Sequence, residues 1–514
     1  MPQTRWLSWP PLEKTRCHDR LASQANDQVL HAAPQTMTTA LIPPCDETRA
    51  VAPAPASQTY DPRGTLLATI LGSSLAFVVG SIINVALPAM QTEFGVGPTG
   101  AQWIVNAYLL PLGALVLIGG ALGDVTGRKR IFEAGLLLFA ASCLLCAVAW
   151  NFPVLMLARA LEGVAAAMIA PTSLAIIADA FTGPERGKAI GTWAAIGAAA
   201  GAVAPVLGGL IVDFAGWRWA FVAVTPVALY ALWTARHAVR ESRAPRDECA
   251  PLDWSGAALI MCALLALIWA LIALPDQGAT PATLAALTVG IVLLLAFFAV
   301  EYSKGDNAMT PLRLFAKSSF LGLSLLTFFL YAALGGLLVL LPYVLIQGLG
   351  YSATAAGAAL LPFPLLLGVL SRAIGGTLAT RLGTRTILTA GSVLVAAGFG
   401  LFTRIPDADV NYWRDVLPAL VVLAVGMAAS VAPLTTAVLQ SAGPRYSGVA
   451  SGVNNAIARI AGLVATALLG IVLLGDAGTL VAGLTQAAWV GLGLSLVSAA
   501  SAWLLLKTDA QEAR

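Results

Sequence analysis

The sequence predicts an all-α integral membrane protein of about fourteen transmembrane helices, set out as two six-helix bundles with two further helices between them. Three observations predict it: a composition too apolar for water, apolar runs of spanning length from one end of the chain to the other, and a polar loop that occurs twice.

Of 514 residues, 58% are hydrophobic and 11% are charged. Soluble domains are about 45–50% apolar and about 25% charged, so a bilayer has to act as the solvent for this chain. The net charge of +3 is not gathered into a basic face, which excludes nucleic acid as a partner class. Six cysteines occur, and Cys143 and Cys146 make a C-x-x-C inside an apolar run. With no second pair and no βαβ context, they read as small lipid- or helix-facing residues and no metal site is expected. His18, His31 and His237 lie in the first segment or a loop, away from a second ligand.

A span needs about 20 mainly apolar residues. Such runs fall at 64–90, 101–123, 131–150, 153–180, 186–212 and 217–237, then at 253–274 and 281–302. A last group falls at 318–347, 353–379, 385–403, 415–440, 448–475 and 480–506. Residues 1–62, rich in Pro and polar side chains, read as a disordered cytoplasmic tail, with Met37 an alternative start of translation. The rest divides into a bundle over 63–237, the two inserted helices with their linkers over 238–317, a bundle over 318–506 and a short tail over 507–514.

Basic residues set the orientation. Loops after even-numbered spans carry Arg128, Lys129, Arg130, Arg186, Lys188, Arg236, Arg240, Arg243, Arg246, Lys304, Arg313, Lys317, Arg381, Arg385 and Arg445, whereas the odd loops carry Arg218, Arg404 and Arg414. Fifteen against three places the even loops and both termini in the cytoplasm.

Two of those even loops resemble each other. Gly120-Ala121-Leu122-Gly123 leads through Asp124 to Gly127 and a basic run; Gly376-Thr377-Leu378-Ala379 leads through Thr380 to Gly383 and Arg385. Equal spacing on one side of the membrane points to duplication of a six-span unit, with spans seven and eight inserted. Secondary transporters are commonly built from repeats and bind substrate between them.

Gly120, Leu122, Asp124, Gly127, Arg128, Lys129 and Arg130 make sense physically. Gly120 allows two helices from opposite halves to approach closely, Gly127 allows a tight turn, and the cations stay at the cytoplasmic face. The stretch resembles the signature of the major facilitator superfamily between its second and third helices, with Val125 where a basic residue is usual. The resemblance implies that Asp124 meets a helix N-terminus of the other half, favourable for a carboxylate. Span thirteen, entered through Ser447-Gly448, is the expected partner, and breaking the contact would accompany the switch between outward and inward states. A plain positive-inside anchor is the structural alternative.

In span four Arg159 and Glu162 are three apart and share a helical face. Ionisable groups within a span are costly and face a cavity or a partner. The pair resembles a second superfamily motif, with Glu162 at a Gln position. Burial and a nearby Arg act oppositely on a carboxylate's hold on its proton, so the pair is a candidate for proton coupling and equally for a structural ion pair. Span five carries Pro205, Gly208 and Gly209 after Gly197 and Gly201. This is similar to the antiporter motif of the family, with Ala204 in place of the first Gly, and implies export; a generic kinked, Gly-rich span loosened at Pro205 is the alternative.

Span one, Ser81 to Pro88, and Trp217-Arg218-Trp219 are similar to the fourteen-helix drug/proton antiporter branch. Val79 stands where that branch usually has an Asp. Asn84, Arg372, Asn455 and Arg459 are cavity candidates, with interhelical hydrogen bonding as the alternative. No phosphate-binding G-x-x-x-x-G-K-[ST] loop occurs, which argues against an ATP-driven pump within the chain.

The expected protein is a cofactor-free, non-enzymatic secondary transporter of the inner membrane. It uses the proton gradient to export small amphipathic or lipophilic compounds, with a periplasmic adaptor as a candidate partner. A carrier for one metabolite and a non-transporting sensor or assembly protein are the rival expectations.

Overall fold

The computed structural model describes residues 61–243, 252–305, 308–406, 409–443, 446–473 and 480–507, without the side chains of residues 372–380, 447 and 471–473. The expected tail over 1–62 lies outside them except for its last two residues, as does nearly all of 507–514. Among the described residues the regular structure is helical, and helix follows helix in chain order: α1 Pro62–Phe94, α2 Pro98–Thr126, α3 Arg128–Ala147, α4 Phe152–Ala180, α5 Gly183–Ala215 and α6 Trp217–Ala238. The inserted pair is α7 Trp254–Gln277 and α8 Pro281–Lys304. The second half runs α9 Ser318–Tyr343, α10 Ala353–Leu360, α11 Pro362–Leu382, α12 Thr384–Phe402, α13 Leu417–Ala442, α14 Ser447–Leu473 and α15 Leu480–Leu505.

Local chemistry starts these helices. Proline occupies the first turn of α1, α2, α4, α5 and α8, where no backbone donor is missed. Asn151 caps α4 by accepting from the Val154 N–H at 2.9 Å, and Asp253 caps α7 by accepting from the Gly256 N–H at 2.6 Å.

Among the described residues thirteen helices are long and apolar enough to cross a membrane, against the fourteen expected. The difference is α6, whose Trp217, Arg218, Trp219, Arg236 and His237 dilute its apolar character; it packs against α1 and α3 all the same. The tenth span is interrupted at Leu361, between α10 and α11: Leu361 keeps helical backbone angles, but Pro362 and Pro364 have no N–H with which to continue the hydrogen-bond ladder. Spans nine and twelve carry single π-helical turns at Val344–Gly348 and Tyr412–Val416, which hydropathy alone does not reveal. Pro205 does not interrupt α5, which runs unbroken through it.

The duplication is legible in the packing. In the first half α1 packs on α5 and α6, α2 on α4, and α3 on α4 and α6. In the second half α9 packs on α14 and α15, α11 on α13, and α12 on α13 and α15. Position for position the two schemes are the same. The halves then meet crosswise: the second helix of one against the fifth of the other, as α2 with α14 and α5 with α10. The inserted α7 lies along the α2–α14 seam, where Ile260, Leu264 and Ile268 join Leu110, Ala114, Leu463 and Ala467 in one apolar cluster. Gly127, between α2 and α3, and Gly383, between α11 and α12, both have positive φ, 128° and 80°, so the repeated loop turns by the same device.

Candidate functional site: the seam between the halves

On the side of the basic loops, Arg128 Nε donates to Asp124 Oδ1 at 2.9 Å, and its Nη1 lies 3.9 Å from Asp179 at the end of α4. The turn is held by Glu241: its Oε1 accepts from the Lys129 N–H at 3.1 Å, and its Oε2 lies 3.5 Å from Arg130 Nε. The Arg128 N–H donates to the Ser242 carbonyl at 2.9 Å. Glu241 was not singled out from the sequence, since an acid in a basic linker gives no signal. Gly120 sits against Pro171 of α4, 3.3 Å from where a Cβ would be, so its close approach is within the first half. The expected meeting of Asp124 with the start of span thirteen involves Ser447, whose side chain lies outside the described residues.

Arg159 and Glu162 are paired and wholly buried. Arg159 Nε donates to the Ile104 carbonyl at 3.2 Å, and the guanidinium lies 4.7 Å from the Tyr108 ring centre. Cys143 Sγ lies 3.2 Å from Glu162 Oε1 and donates to it. The pair therefore ties α2, α3 and α4 together inside the first bundle. Cys143 is helix-facing, as expected of the C-x-x-C, but its role as donor to Glu162 carried no sequence signal.

On the side opposite the basic loops the halves are sealed along two seams. In the first, Gln102 Nε2 donates to the carbonyls of Thr466 and Ala467, both at 3.2 Å, and Asn106 accepts from Thr466 Oγ1. In the second, α5 lies backbone to backbone on α10. A Cβ on Gly209 would strike the Ala353 carbonyl, and one on Gly357 the Pro205 carbonyl. Pro205 and Gly209 of the expected motif thus sit at the inter-half contact, while Gly208 packs within its own half, 2.7 Å from Ile82 Cγ1 by the same measure.

Toward the basic side α5 stands free of such contacts. Glu185 to Lys188 are exposed, and a Cβ on Gly187 or Gly191 would meet nothing within 4 Å. Between these levels Phe77 of α1 lies beside Gly197 and Gly201 and is 41% exposed. Arg459 of α14 lies 5.7 Å from its ring centre, half-buried, with Asn455 exposed one turn away on the same helix. No ion pair or hydrogen bond to the Arg459 side chain occurs among the described residues. Asn84 is half-buried on α1. Asn454, beside Asn455, instead accepts from Thr327 Oγ1 at 2.7 Å and joins α14 to α9. The side chain of Arg372 lies outside the described residues. Val79 is buried in the core of the first bundle.

Comparison with known proteins places this architecture. The family model described as Major Facilitator Superfamily matches residues 69–466. The chain is 34% identical to the puromycin resistance protein pur8 of Streptomyces alboniger over 89% of this chain and 94% of that protein. It is 32% identical to the multidrug resistance protein Stp of Mycobacterium tuberculosis strain H37Rv, over 80% and 75%. It is 31% identical to the methylenomycin A resistance protein of Bacillus subtilis, over 79% and 87%. A crystal structure of the peptide transporter POT superposes with a TM-score of 0.65 at 16% identity, covering 85% of this chain and 94% of that one. The D-xylose–proton symporter gives 0.60 at 15%, covering 86% and 97%; at such identities these two speak for the fold alone. The paired six-helix packing, the crosswise seams, the family model and the full-length relatives agree, and the chain belongs to the Major Facilitator Superfamily of membrane transporters.

Proposed function

We propose that this chain is a drug exporter of the bacterial inner membrane, driven by the proton gradient, that moves small amphipathic or lipophilic compounds by alternating access. Relatives named for resistance to puromycin, to methylenomycin A and to several drugs support export. The observation that carries the reading is the asymmetry of the seam. The halves are sealed by Gln102, Asn106, Gly209 and Gly357 on one side, and α5 stands apart at Gly187 and Gly191 on the other. With the basic loops assigned to the cytoplasm, α5 is open toward the side from which an exporter loads its substrate, while α2 and α14 stay in contact at Leu117 and Gly452.

Phe77, Asn84, Asn455 and Arg459 form the substrate-facing set in this reading, with Arg372 as a fifth candidate. Phe77 and its glycine neighbours give a wall with few fixed polar groups, suited to varied apolar ligands. Asp124, Arg128 and Arg130, turned by Gly127, act in the switch. Arg159 and Glu162 are the coupling candidates, since among the described acids Glu162 lies farthest from the ends of its helix. A carrier for one metabolite is the second reading. It is favoured by Val79, which puts a buried apolar side chain where the drug/proton branch usually has an acid.

The test is efflux of ethidium and of neutral lipophilic dyes from efflux-deficient cells, repeated as uptake in everted vesicles with and without a protonophore. Transport of several unrelated dyes that a protonophore abolishes is the expected result. Absence of transport by well-inserted protein, or transport indifferent to the protonophore, overturns the reading.

A further inference from the structure

Asp213 lies two residues from the end of α5, one turn beyond Gly209, and no motif covers it. Its carboxylate crosses to the other half and takes the start of α10. Oδ1 accepts from the Ala353 N–H at 3.0 Å, and Oδ2 accepts from the Thr354 N–H at 2.8 Å and from the Thr354 hydroxyl at 2.6 Å. Helix α10 begins with two backbone donors that its own turns cannot use, and its dipole favours an anion there. The approach is made possible by Gly209 and Gly357, where the backbones of α5 and α10 touch. The contact joins side chain to main chain across 140 residues, so it exists only while the two halves are together on this side.

We propose that Asp213 is the latch of the sealed side, a positioning residue that holds the transporter closed there and that must release α10 for that side to open. The geometry is the counterpart of the arrangement expected at Asp124. In each case an acid near the end of a helix of the first half addresses the N-terminus of a helix of the second half, on opposite faces of the membrane. Asp213 caps α10 in the state described here, and the opening of that side separates the carboxylate from all three donors at once. Hydrogen bonds to an ionised acceptor are the strong ones, so losing the charge shifts the balance between the two states without touching substrate.

The test reads accessibility, not activity alone. In a variant with its cysteines replaced, Val339→Cys reports on the small cavity within the seal, lined by Leu87, Gln102, Val105, Tyr343 and Thr466. A membrane-impermeant maleimide is applied to right-side-out and to inverted vesicles. Asp213→Asn is expected to label about tenfold faster or more, from the sealed side only, with Asp213→Glu returning toward the parent rate. Thr354→Val, which removes one donor, moves the rate the same way by less and stands in should Asp213→Asn fail to insert. In transport, Asp213→Asn raises KM for substrate offered at the basic side more than it lowers kcat, because the loading state is less populated. Unchanged labelling in Asp213→Asn and Thr354→Val overturns the latch. The proposal rests on alternating access but not on drug export: a parent protein that exports no dye yet labels faster on Asp213→Asn keeps the latch and loses the function.

Discussion

Arg159 and Glu162 stand one turn apart on α4 with neither side chain exposed, and Cys143 of α3 donates to the carboxylate from the far side. A buried ion pair costs desolvation of both ions, and removing one partner strands the other charge at about 3–5 kcal/mol. A single substitution therefore confounds proton chemistry with folding.

The pair is separated from its chemistry by removing both charges. Glu162→Gln alone is expected to lower the melting temperature of the solubilised protein, since it leaves the Arg159 guanidinium buried without an anion. Arg159→Met with Glu162→Leu replaces the pair by apolar side chains of similar size, which is often neutral for stability. If the pair couples protons, the double variant folds like the parent but loses protonophore-sensitive transport. Normal coupled transport by the double variant assigns the pair to structure.

The helix pattern and the repeat were legible because lipid imposes them: every span needs length and apolarity, and the basic loops need one side. Packing of the repeat then followed, since the same sequence spacing at Gly127 and Gly383 makes the same turn. What stayed hidden depends on contacts between residues far apart in the chain. Gln102 and Thr466 are single polar residues in apolar runs, and nothing local tells that one donates to the carbonyl of the other. Asp213 reads as a helix-end charge until α10 is placed against it. Leu361 is different: Pro362 and Pro364 flank Phe363 in the sequence, and the break in span ten was there to be read.

Gly127 and Gly187 make a contrast that tests the basic loop. At Gly127 φ is 128° and a Cβ would lie 2.6 Å from Glu241 Oε1. Gly127→Ala therefore strains the backbone, at a cost of order 1–3 kcal/mol, and displaces the carboxylate that holds Lys129 and Arg130. Gly187, inside α5, has open space around it, and alanine is the better helix former by about 1 kcal/mol. Melting curves of the solubilised variants are expected to show Gly127→Ala destabilised and Gly187→Ala unchanged or stabilised. Equal behaviour of the two contradicts the account of the turn.

Arg459 brings a positive charge to the substrate-facing set without a hydrogen-bonded partner among the described residues, and Phe77 supplies an aromatic face beside it. An anionic amphiphile gains a charge-assisted hydrogen bond there that a neutral one of the same shape does not. Arg459→Ala is expected to reduce export of an anionic dye about tenfold more than that of a matched neutral dye, and Arg459→Lys to recover part of the difference. Vesicle uptake of the two dyes decides it, and equal losses remove Arg459 from substrate recognition.

Asp253 binds the inserted helices to each other at the basic side. It caps α7 and pairs with Lys304 at the end of α8. Burial pushes its carboxyl upward, but the Lys304 ammonium, the Gly256 N–H and hydrogen bonds with Glu301 and the Ser255 hydroxyl outweigh that and hold it at about 2, below the ordinary value of about 3.9. A carboxyl lowered on folding adds stability that is fully present above its unfolded value and is lost as pH falls through the folded one. The stabilising effect of Asp253 is thus constant from neutral pH to about 5 and fades between about 4 and about 2. Glu301 of α8 is hydrogen-bonded to Asp253, so the comparison is made in a Glu301→Gln background: the difference in melting temperature on adding Asp253→Asn, measured in detergent from pH 7 down to pH 3, should stay level and then narrow at the acid end. A difference that narrows already between pH 7 and pH 5 would mean that a group other than Asp253 titrates at this junction.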